Sequence, residues 1–398
     1  MAYDSTYLRG KAAIVGAADE VSPTGELHLT ERELEVKVIH AALEDAGLKL
    51  SDVDGLFCTG MMMPSLELAE HLGIRPRYTD STMTGGSSFE VHVEHAAAAI
   101  ALGLCEVAVS VYAQTPRSKG GLTGGMAAMM SAFDRKNPPP FLEWEMPAGL
   151  MLPAGAYALA ASRHQHLYGT TSEQLAQIAV STRQWAQMNP RARYQEAMSI
   201  ADVLNSPLVC DPLHRYDCCL VTDGAGAVVI TSAERARHLK KKPVYVMGVG
   251  THHDHAMMIS EMPELTVTPG AVSAPKAFNM AGVAPKDIDL VMTYDSFTIT
   301  VLMSLEDMGF CPKGEGGRFV EDGKLGPGGS LPTNTNGGGL SYTHPGMYGM
   351  FLLVEATRQL RGECGPRQVP DAKLAVAHGV GGVLSACSTV VLGTEETL

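Results

Sequence analysis

Positive charge is scarce in this chain, and several ligand classes go with it. Its 398 residues carry 30 lysines and arginines against 43 aspartates and glutamates, a net charge of −13. Nucleic acid is bound by neutralising phosphates with a basic surface, so it is excluded as a principal ligand. An isolated phosphate is not, because a few local cations or a helix N-terminus suffice for one. Paired cysteine is also lacking. The eight cysteines, Cys58, Cys105, Cys210, Cys218, Cys219, Cys311, Cys364 and Cys387, contain no Cys-x-x-Cys pair and no metal-ligand spacing. That argues against a zinc site within the chain. His252, His253 and His255 (THHDHA) have no acidic partner spacing to close a metal site and read as a solvated loop. No metal and no resident cofactor is expected here.

Long apolar runs are missing as well. The longest, His95 to Ala113, is broken by Gly103 and Glu106 and reads as helix, turn and strand rather than a membrane span. The opening MAYDSTYLRGKAAIVGAA has no apolar leader core and is expected to lead directly into a strand. A cytoplasmic protein with no membrane partner is the expectation. What is present is 45% apolar and 18% charged residues, the composition of a globular chain with a large interior. Its length favours two core units over one.

The chain matches itself at an offset of 235 residues, Ala42 falling on Ala277. Ala46, Gly47, Asp52 and Asp54 then fall on Ala281, Gly282, Asp287 and Asp289. Each copy reads as a helix stopped at Ala-Gly, a polar turn, and a buried strand. Glycine-rich turns (GGSS at Gly85, HPGMYG at His344) then open an apolar helix in each half. The expected organisation is α/β: two βαβ halves related by a pseudo-two-fold, roughly 1–235 and 243–398, hinged at Lys240-Lys241-Lys242-Pro243. A region inserted at about 115–216 is irregular. It holds Lys136-Asn137-Pro138-Pro139-Pro140, then helical patterning from Leu152 to Met188.

Five ordered blocks carry a resemblance across nearly the whole chain. They are YGTTSEQLAQIAVSTRQWAQMNPRARYQ from Tyr168, DCCLVTDGAGAVVITSAE from Asp217, YDSFTIT at Tyr294, NGGGLSYTHPGMYG at Asn336 and HGVGG at His378. The chain resembles the sterol-carrier-protein branch of the thiolase superfamily. That implies a thiolase-like fold in which the inserted region is a loop domain over an acyl-CoA.

The resemblance fails at the reactive sulfurs. A Claisen-type thiolase needs an acylated thiolate, a second acid/base and an oxyanion hole. Alignment on Gly86-Ser87-Ser88 puts Met83 at the nucleophile position, with Thr82 or Thr84 there after a one-residue shift. Met83 is expected to pack the floor of the pocket, and Ser87 and Ser88 to cap the helix that follows. The family's His-Asp-Cys-Phe motif becomes Tyr294-Asp295-Ser296-Phe297. His378 stands where other thiolases carry a C-terminal cysteine but the sterol-carrier branch carries histidine. Cys387 reads as core. The Gly-His-Pro region survives as Tyr342-Thr343-His344-Pro345. His344 keeps the family's role of bonding the thioester oxygen, while Tyr294 and Tyr342 are the added candidates for moving a proton. Tyr348 reads as structural.

An enolate-stabilising pocket without cysteines suits a retro-aldol on a β-hydroxyacyl-CoA, which needs no covalent intermediate. The chain is similar to cysteine-less, thiolase-like steroid side-chain aldolases. That similarity implies cleavage of a 17-hydroxysteroid-20-carboxyl-CoA to a 17-ketosteroid and propionyl-CoA. It also implies a homodimer working with a small zinc-ribbon/OB-fold partner linked to an acyl-CoA hydratase, any zinc being the partner's. An acyltransferase using another serine or cysteine, and a non-catalytic acyl-CoA- or lipid-binding subunit, stay open as alternatives.

Overall fold

The structure, a computed structural model, describes residues 6–60, 62–120, 138–150 and 153–398. Lys136 and Asn137 of the proline-rich stretch, and Leu152, lie outside them. The larger sheet has strands β1 (Ala12–Glu20), β2 (Gly55–Cys58), β3 (Tyr78–Asp80), β4 (Val107–Gln114), β7 (Gly224–Ser232), β8 (Val244–His253), β9 (Leu290–Thr293), β10 (Leu374–Gly381) and β11 (Ala386–Gly393). Strands β5 (Leu208–Cys210) and β6 (Leu213–His214) form a separate hairpin.

The sheet order is β3-β2-β4-β7-β1-β8-β11-β10-β9. Read outward from the antiparallel β1–β8 seam, both sides run alike. On one side β1 pairs β7 antiparallel, β7 pairs β4 antiparallel, and β4 pairs β2 parallel. On the other, β8–β11 and β11–β10 are antiparallel and β10–β9 is parallel. The repeat in the sequence is therefore a repeat of topology. The sides differ between their last two strands in chain order. Residues 382–385 join β10 to β11 directly, whereas helices α4 (Ala154–Tyr168) and α5 (Ser172–Gln187) and the β5–β6 hairpin lie between β4 and β7.

Each repeated residue does the same work twice. Helix α1 (Glu31–Ala46) packs on β1, and α6 (Gly270–Ala281) packs on β8. A Cβ on Gly16 of β1 would stand 2.0 Å from the Ala42 carbonyl oxygen; one on Gly248 of β8 would stand 2.0 Å from that of Ala277. Glycine in the strand under alanine in the helix lets the two backbones touch. Gly47 and Gly282 end the helices in the left-handed region, at φ 74° and 70°. Asp54 Oδ1 accepts from the Glu106 and Val107 amides, and Asp289 Oδ2 from those of Lys373 and Leu374. Each aspartate thus pins the start of β4 or β10 to the turn before β2 or β9.

Helices α3 (Ser88–Ala101) and α8 (Gly349–Arg361) touch each other and strands of both halves. Every residue of α8 except Arg358 is buried. Because these helices are shared, the halves do not keep separate interiors. The main apolar cluster runs from Leu8 to Leu392 through both halves, and a second, small one gathers Ala176, Ala179, Val180, Val203 and Leu340 at α5. Helix α7 (Thr298–Asp307), buried along its whole length, runs within the main cluster, and α2 (Pro64–Leu72) adds Leu68 and Ala69.

Because the obstacle at Gly16 is a backbone oxygen, no rotamer change can relieve it. Gly16→Ala and Gly248→Ala are each expected to destabilise the protein by about 3 kcal/mol or more, at the upper end for overpacking. Urea unfolding of the two variants would test this, and similar losses would show that the halves are mechanically equivalent.

Candidate active site

Three chain segments meet at the edge of the central helices. Tyr294 leaves β9 with its amide donating to the His378 carbonyl at 3.0 Å, which seats it beside β10. Asp295, fully buried, accepts from the Gly339 amide at 2.6 Å and the Leu340 amide at 3.1 Å, drawing in the loop that ends at His344. The His344 amide donates to Thr222 Oγ1 at 2.8 Å, and Thr222 Oγ1 also meets Thr343 Oγ1 at 2.7 Å. So fixed, Tyr294 Oη and His344 Nε2 lie 2.9 Å apart, with their rings edge-on at 83°. Their exposures are 5% and 7%, so the contact is nearly dry.

Burial keeps this pair neutral. It lowers the His344 imidazole to about 4. It also pushes the Tyr294 phenol well above its ordinary range, helped by the nearby Cys219, Tyr112 and Tyr157 and opposed by the Tyr348 amide facing the hydroxyl. With that amide supplying the phenol oxygen, the phenol proton points at Nε2, which leaves the ring proton on Nδ1. The Leu220 and His344 carbonyls are near the ring. Nδ1 is nevertheless buried without a hydrogen-bond partner. An unused buried donor of this kind is available to a ligand oxygen.

Tyr342 is held elsewhere. Its hydroxyl donates to Asp19 Oδ2 at 2.5 Å, while Arg191 and Arg358 contact Asp19 Oδ1 at 2.7 and 2.8 Å. Burial opposes the charge on Asp19, but Arg358, then Arg191 and Tyr342, outweigh it and hold the carboxyl far below the usual range. Burial and the Asp19 charge together raise the Tyr342 phenol well above its own. The four segments joined here are the end of β1, the loop after α5, the loop that carries Tyr342, and α8.

The former sulfur positions depart from expectation in detail. Met83 does not pack a pocket floor. It is 55% exposed on the wall of a surface cavity of about 830 Å³ shared with Tyr112 and Met347. The turn before α3 explains this: Asp80 Oδ1 takes the Thr82 amide and hydroxyl, and His92 Nε2 meets the Thr82 carbonyl at 3.0 Å, leaving Met83 outermost. Ser87 and Ser88 brace this turn instead of capping the helix. Their hydroxyls donate to the Thr84 and Gly85 carbonyls. Ser296 Oγ meets Thr300 Oγ1 at 2.9 Å. Burial pushes the thiols of Cys58, Cys105, Cys218 and Cys311 up to about 12, and raises those of Cys219, Cys364 and Cys387 well above the ordinary thiol range. None of these is a thiolate at neutral pH. His378 Nδ1 meets Thr389 Oγ1, and burial lowers its ring to about 4.

Sequence reasoning set Tyr348 aside, yet it belongs to the pair. Its ring stacks on His344 at 6.3 Å and stands edge-on to Tyr294 at 6.0 Å, and its hydroxyl donates to Asn336 Oδ1 at 2.9 Å. Its closeness to His344 in the chain was the available signal. Asp19, Thr222 and Arg191 gave no local signal, because only the fold brings them here. Next to the pair, a cavity of about 180 Å³ is lined by Cys219, Leu220 and Thr222 on one side and by Arg117, Arg193 and Arg215.

Residues 250–394 match the family described as thiolase C-terminal domain-like. A steroid side-chain-cleaving aldolase of Thermomonospora curvata is 36% identical, covering 98% of this chain and 99% of its own. A 17-hydroxy-3-oxo-4-pregnene-20-carboxyl-CoA lyase of Mycobacterium tuberculosis is 37% identical over 89% of this chain and 92% of its own. A solved Ltp2-ChsH2(DUF35) aldolase superposes with a TM-score of 0.85 at 32% identity, covering 98% of this chain and 99% of that one. The chain belongs to the thiolase superfamily, in its sterol-carrier-protein thiolase-like branch. No helix among the described residues is long and apolar enough to cross a membrane.

Removing the Asp19 charge would leave Arg191 and Arg358 facing a neutral amide in a buried site. Asp19→Asn is expected to cost about 3–5 kcal/mol in urea unfolding. The sign with pH follows from the depressed carboxyl. Its contribution is complete above the unfolded value near 3.8 and is lost as pH falls through the lower folded one. The gap between wild type and variant should therefore shrink only in strong acid.

Proposed function

We propose that this chain is a retro-aldolase that cleaves the Cα–Cβ bond of a β-hydroxyacyl-CoA, a 17-hydroxysteroid-20-carboxyl-CoA, to a ketosteroid and propionyl-CoA. One observation carries it: a phenol and a neutral imidazole in direct contact, in a chain whose nucleophile position holds methionine. Similarity to the steroid side-chain-cleaving aldolase of T. curvata supports the reaction class, and similarity to the pregnene-carboxyl-CoA lyase of M. tuberculosis supports the substrate.

The reaction needs one proton moved and no bond to the enzyme. As the β-hydroxyl proton passes to Tyr294 Oη, the phenol proton passes to His344 Nε2, so neither residue must first carry a charge. The C–O bond becomes a ketone, the Cα–Cβ bond breaks, and its electron pair forms the thioester enolate. The enolate oxygen takes the free Nδ1–H of His344. The imidazolium proton then returns through Tyr294 to Cα, releasing propionyl-CoA. Tyr342, through Asp19, holds the strap that carries His344, and Tyr348 keeps the imidazole plane. Arg117, Arg193 and Arg215 around the adjacent cavity supply the cations for CoA phosphates that the acidic chain otherwise lacks.

We further infer a homodimer bound to a DUF35-type partner, as the name of the solved aldolase suggests. Met62, Met63, Leu66 and Met83 are exposed around the start of α2 and the turn after β3, the edge strand of the sheet. An apolar group beside an unpaired strand edge is what a second copy would cover. Light scattering of the chain alone should give twice the monomer mass. A monomer at micromolar concentration, with and without the partner, rejects this assembly.

Tyr294→Phe removes the relay and leaves the packing. Turnover of a β-hydroxyacyl-CoA is expected to fall about 100- to 1000-fold with KM nearly unchanged. Intact mass after incubation with acyl-CoA should show the bare chain. A stable acyl adduct, or wild-type turnover by Tyr294→Phe, would sink the mechanism.

A further inference from the structure

The first turn of α3 buries an acid that the proposed reaction does not use. Glu90 is fully buried, and neither carboxyl oxygen is bonded by another residue; only its own backbone amide lies near enough to favour the charged form. Room for it is made by two glycines on other elements. A Cβ on Gly349, the first residue of α8, would stand 2.4 Å from Glu90 Oε2 and 2.3 Å from the Gly86 carbonyl oxygen. A Cβ on Gly379 of β10 would stand 2.3 Å from the same Oε2 and 2.7 Å from Ser87 Cα. The carboxyl thus fills the seam where three segments converge. Gly349 follows Tyr348, Gly379 follows His378, and Gly86 packs so closely on Tyr294 that a Cβ there would stand 2.1 Å from Tyr294 Cε2.

No charge balances an ionised Glu90. The buried ionisable groups on the elements around α3 are Tyr112 on β4, Tyr245 on β8, His378 on β10, Cys387 on β11, Glu355 and Arg361 on α8, and Tyr348 just before it; Arg361 is paired with Asp45. None of them bonds the carboxyl. β7 contributes no ionisable side chain, Asp19 on β1 is committed to its two arginines, and His92 on α3 itself is bonded to Ser110 and the Thr82 carbonyl. Burial accordingly pushes the Glu90 carboxyl up to about 8. An unpartnered acid in a dry seam is costly to keep when a hydrophobe of similar size would fit.

We propose that Glu90 is a positioning residue that works in its protonated form. Neutral, it lets the first turns of α3 and α8 close and holds the Tyr348 amide against Tyr294. Ionised, it draws water into the seam, parts the two helices and loosens the Tyr294–His344 contact. Its effect on turnover rests on the retro-aldolase reading; its titration does not.

The test compares wild type, Glu90→Gln and Glu90→Met between pH 5 and 9.5. Wild-type kcat should fall above about 8, approaching tenfold per pH unit, while both variants keep wild-type turnover at pH 7 and lose that fall. Melting gives an activity-independent check. A carboxyl raised from 4.5 to about 8 costs the folded state progressively more as pH rises through that window, and the cost levels off above it. The melting temperature of Glu90→Gln should therefore rise relative to wild type from pH 5 to 8 and then hold its lead. Ring ¹⁵N shifts of His344 should move above pH 8 in wild type only. The proposal is overturned if the variants keep the alkaline fall, if the melting gap is flat with pH, or if both variants fail to fold. Absence of aldol cleavage by wild type would reject the activity instead, and melting and ¹⁵N shifts would still decide the role of Glu90.

Discussion

The carboxyl of Asp295 is the constraint on which the site depends. It sits between Tyr294 and the former second sulfur position, and its two oxygens take consecutive amides of the loop leading to His344. That clamp adds to the bond from the Thr293 amide to Asn334 Oδ1 and ties the residue after Tyr294 directly to the loop that ends at His344, so the 2.9 Å contact between side chains fifty residues apart is held from the backbone. Burial pushes Asp295 up to about 7, against the pull of the Gly339 and Leu340 amides. Removing a partner from a buried acceptor pair of this kind typically costs about 1–3 kcal/mol. Here the loss would fall on geometry as much as on stability.

The fold was legible where local chemistry and periodicity agree. Thr30 with Glu33, and Thr171 with Gln174, form capping boxes that open α1 and α5, and the second of them divides into two helices the stretch 152–188 that reads as one helical pattern. The repeat was legible because each coincident residue has a backbone task that few side chains can do: glycine at a left-handed helix stop, aspartate accepting consecutive amides. That the main core runs through both halves was not legible, because α3 and α8 are shared and their sharing is a property of packing. Tyr294 and His344 could be picked out because family blocks mark both loops. The destination of Tyr342 could not, since its partner Asp19 lies at the far end of the chain.

Ser87 and Ser88 show how a sound local rule is overridden. Serine before a helix favours a cap, but Ser87 sits in the helical region of backbone space, where its hydroxyl cannot reach the amides ahead. Both hydroxyls turn back to carbonyls of the preceding turn instead. That turn is held from below by His92 and Asp80, so Met83 faces outward. The position aligned with the nucleophile of acylating thiolases is thus an exposed one in this chain. Restoring a cysteine there would place it on an exposed wall.

The surroundings of the Tyr294–His344 pair, unlike the ion-paired Asp19 site, are nearly without charge. His344 and His378 are neutral, Tyr294 and Glu90 hold their protons, and the buried thiols are far from ionising. A thiolate mechanism is poorly suited to such a site, because forming an anion before substrate arrives would oppose the full desolvation penalty. A relay in which each group gives one proton as it receives another avoids that state. Charge then appears only as enolate and imidazolium together, a few ångströms apart in a low-dielectric pocket where their attraction is strongest. The same dryness that disables the cysteines is what makes a phenol–imidazole pair adequate, so the loss of sulfur and the burial of the pair are two sides of one physical change.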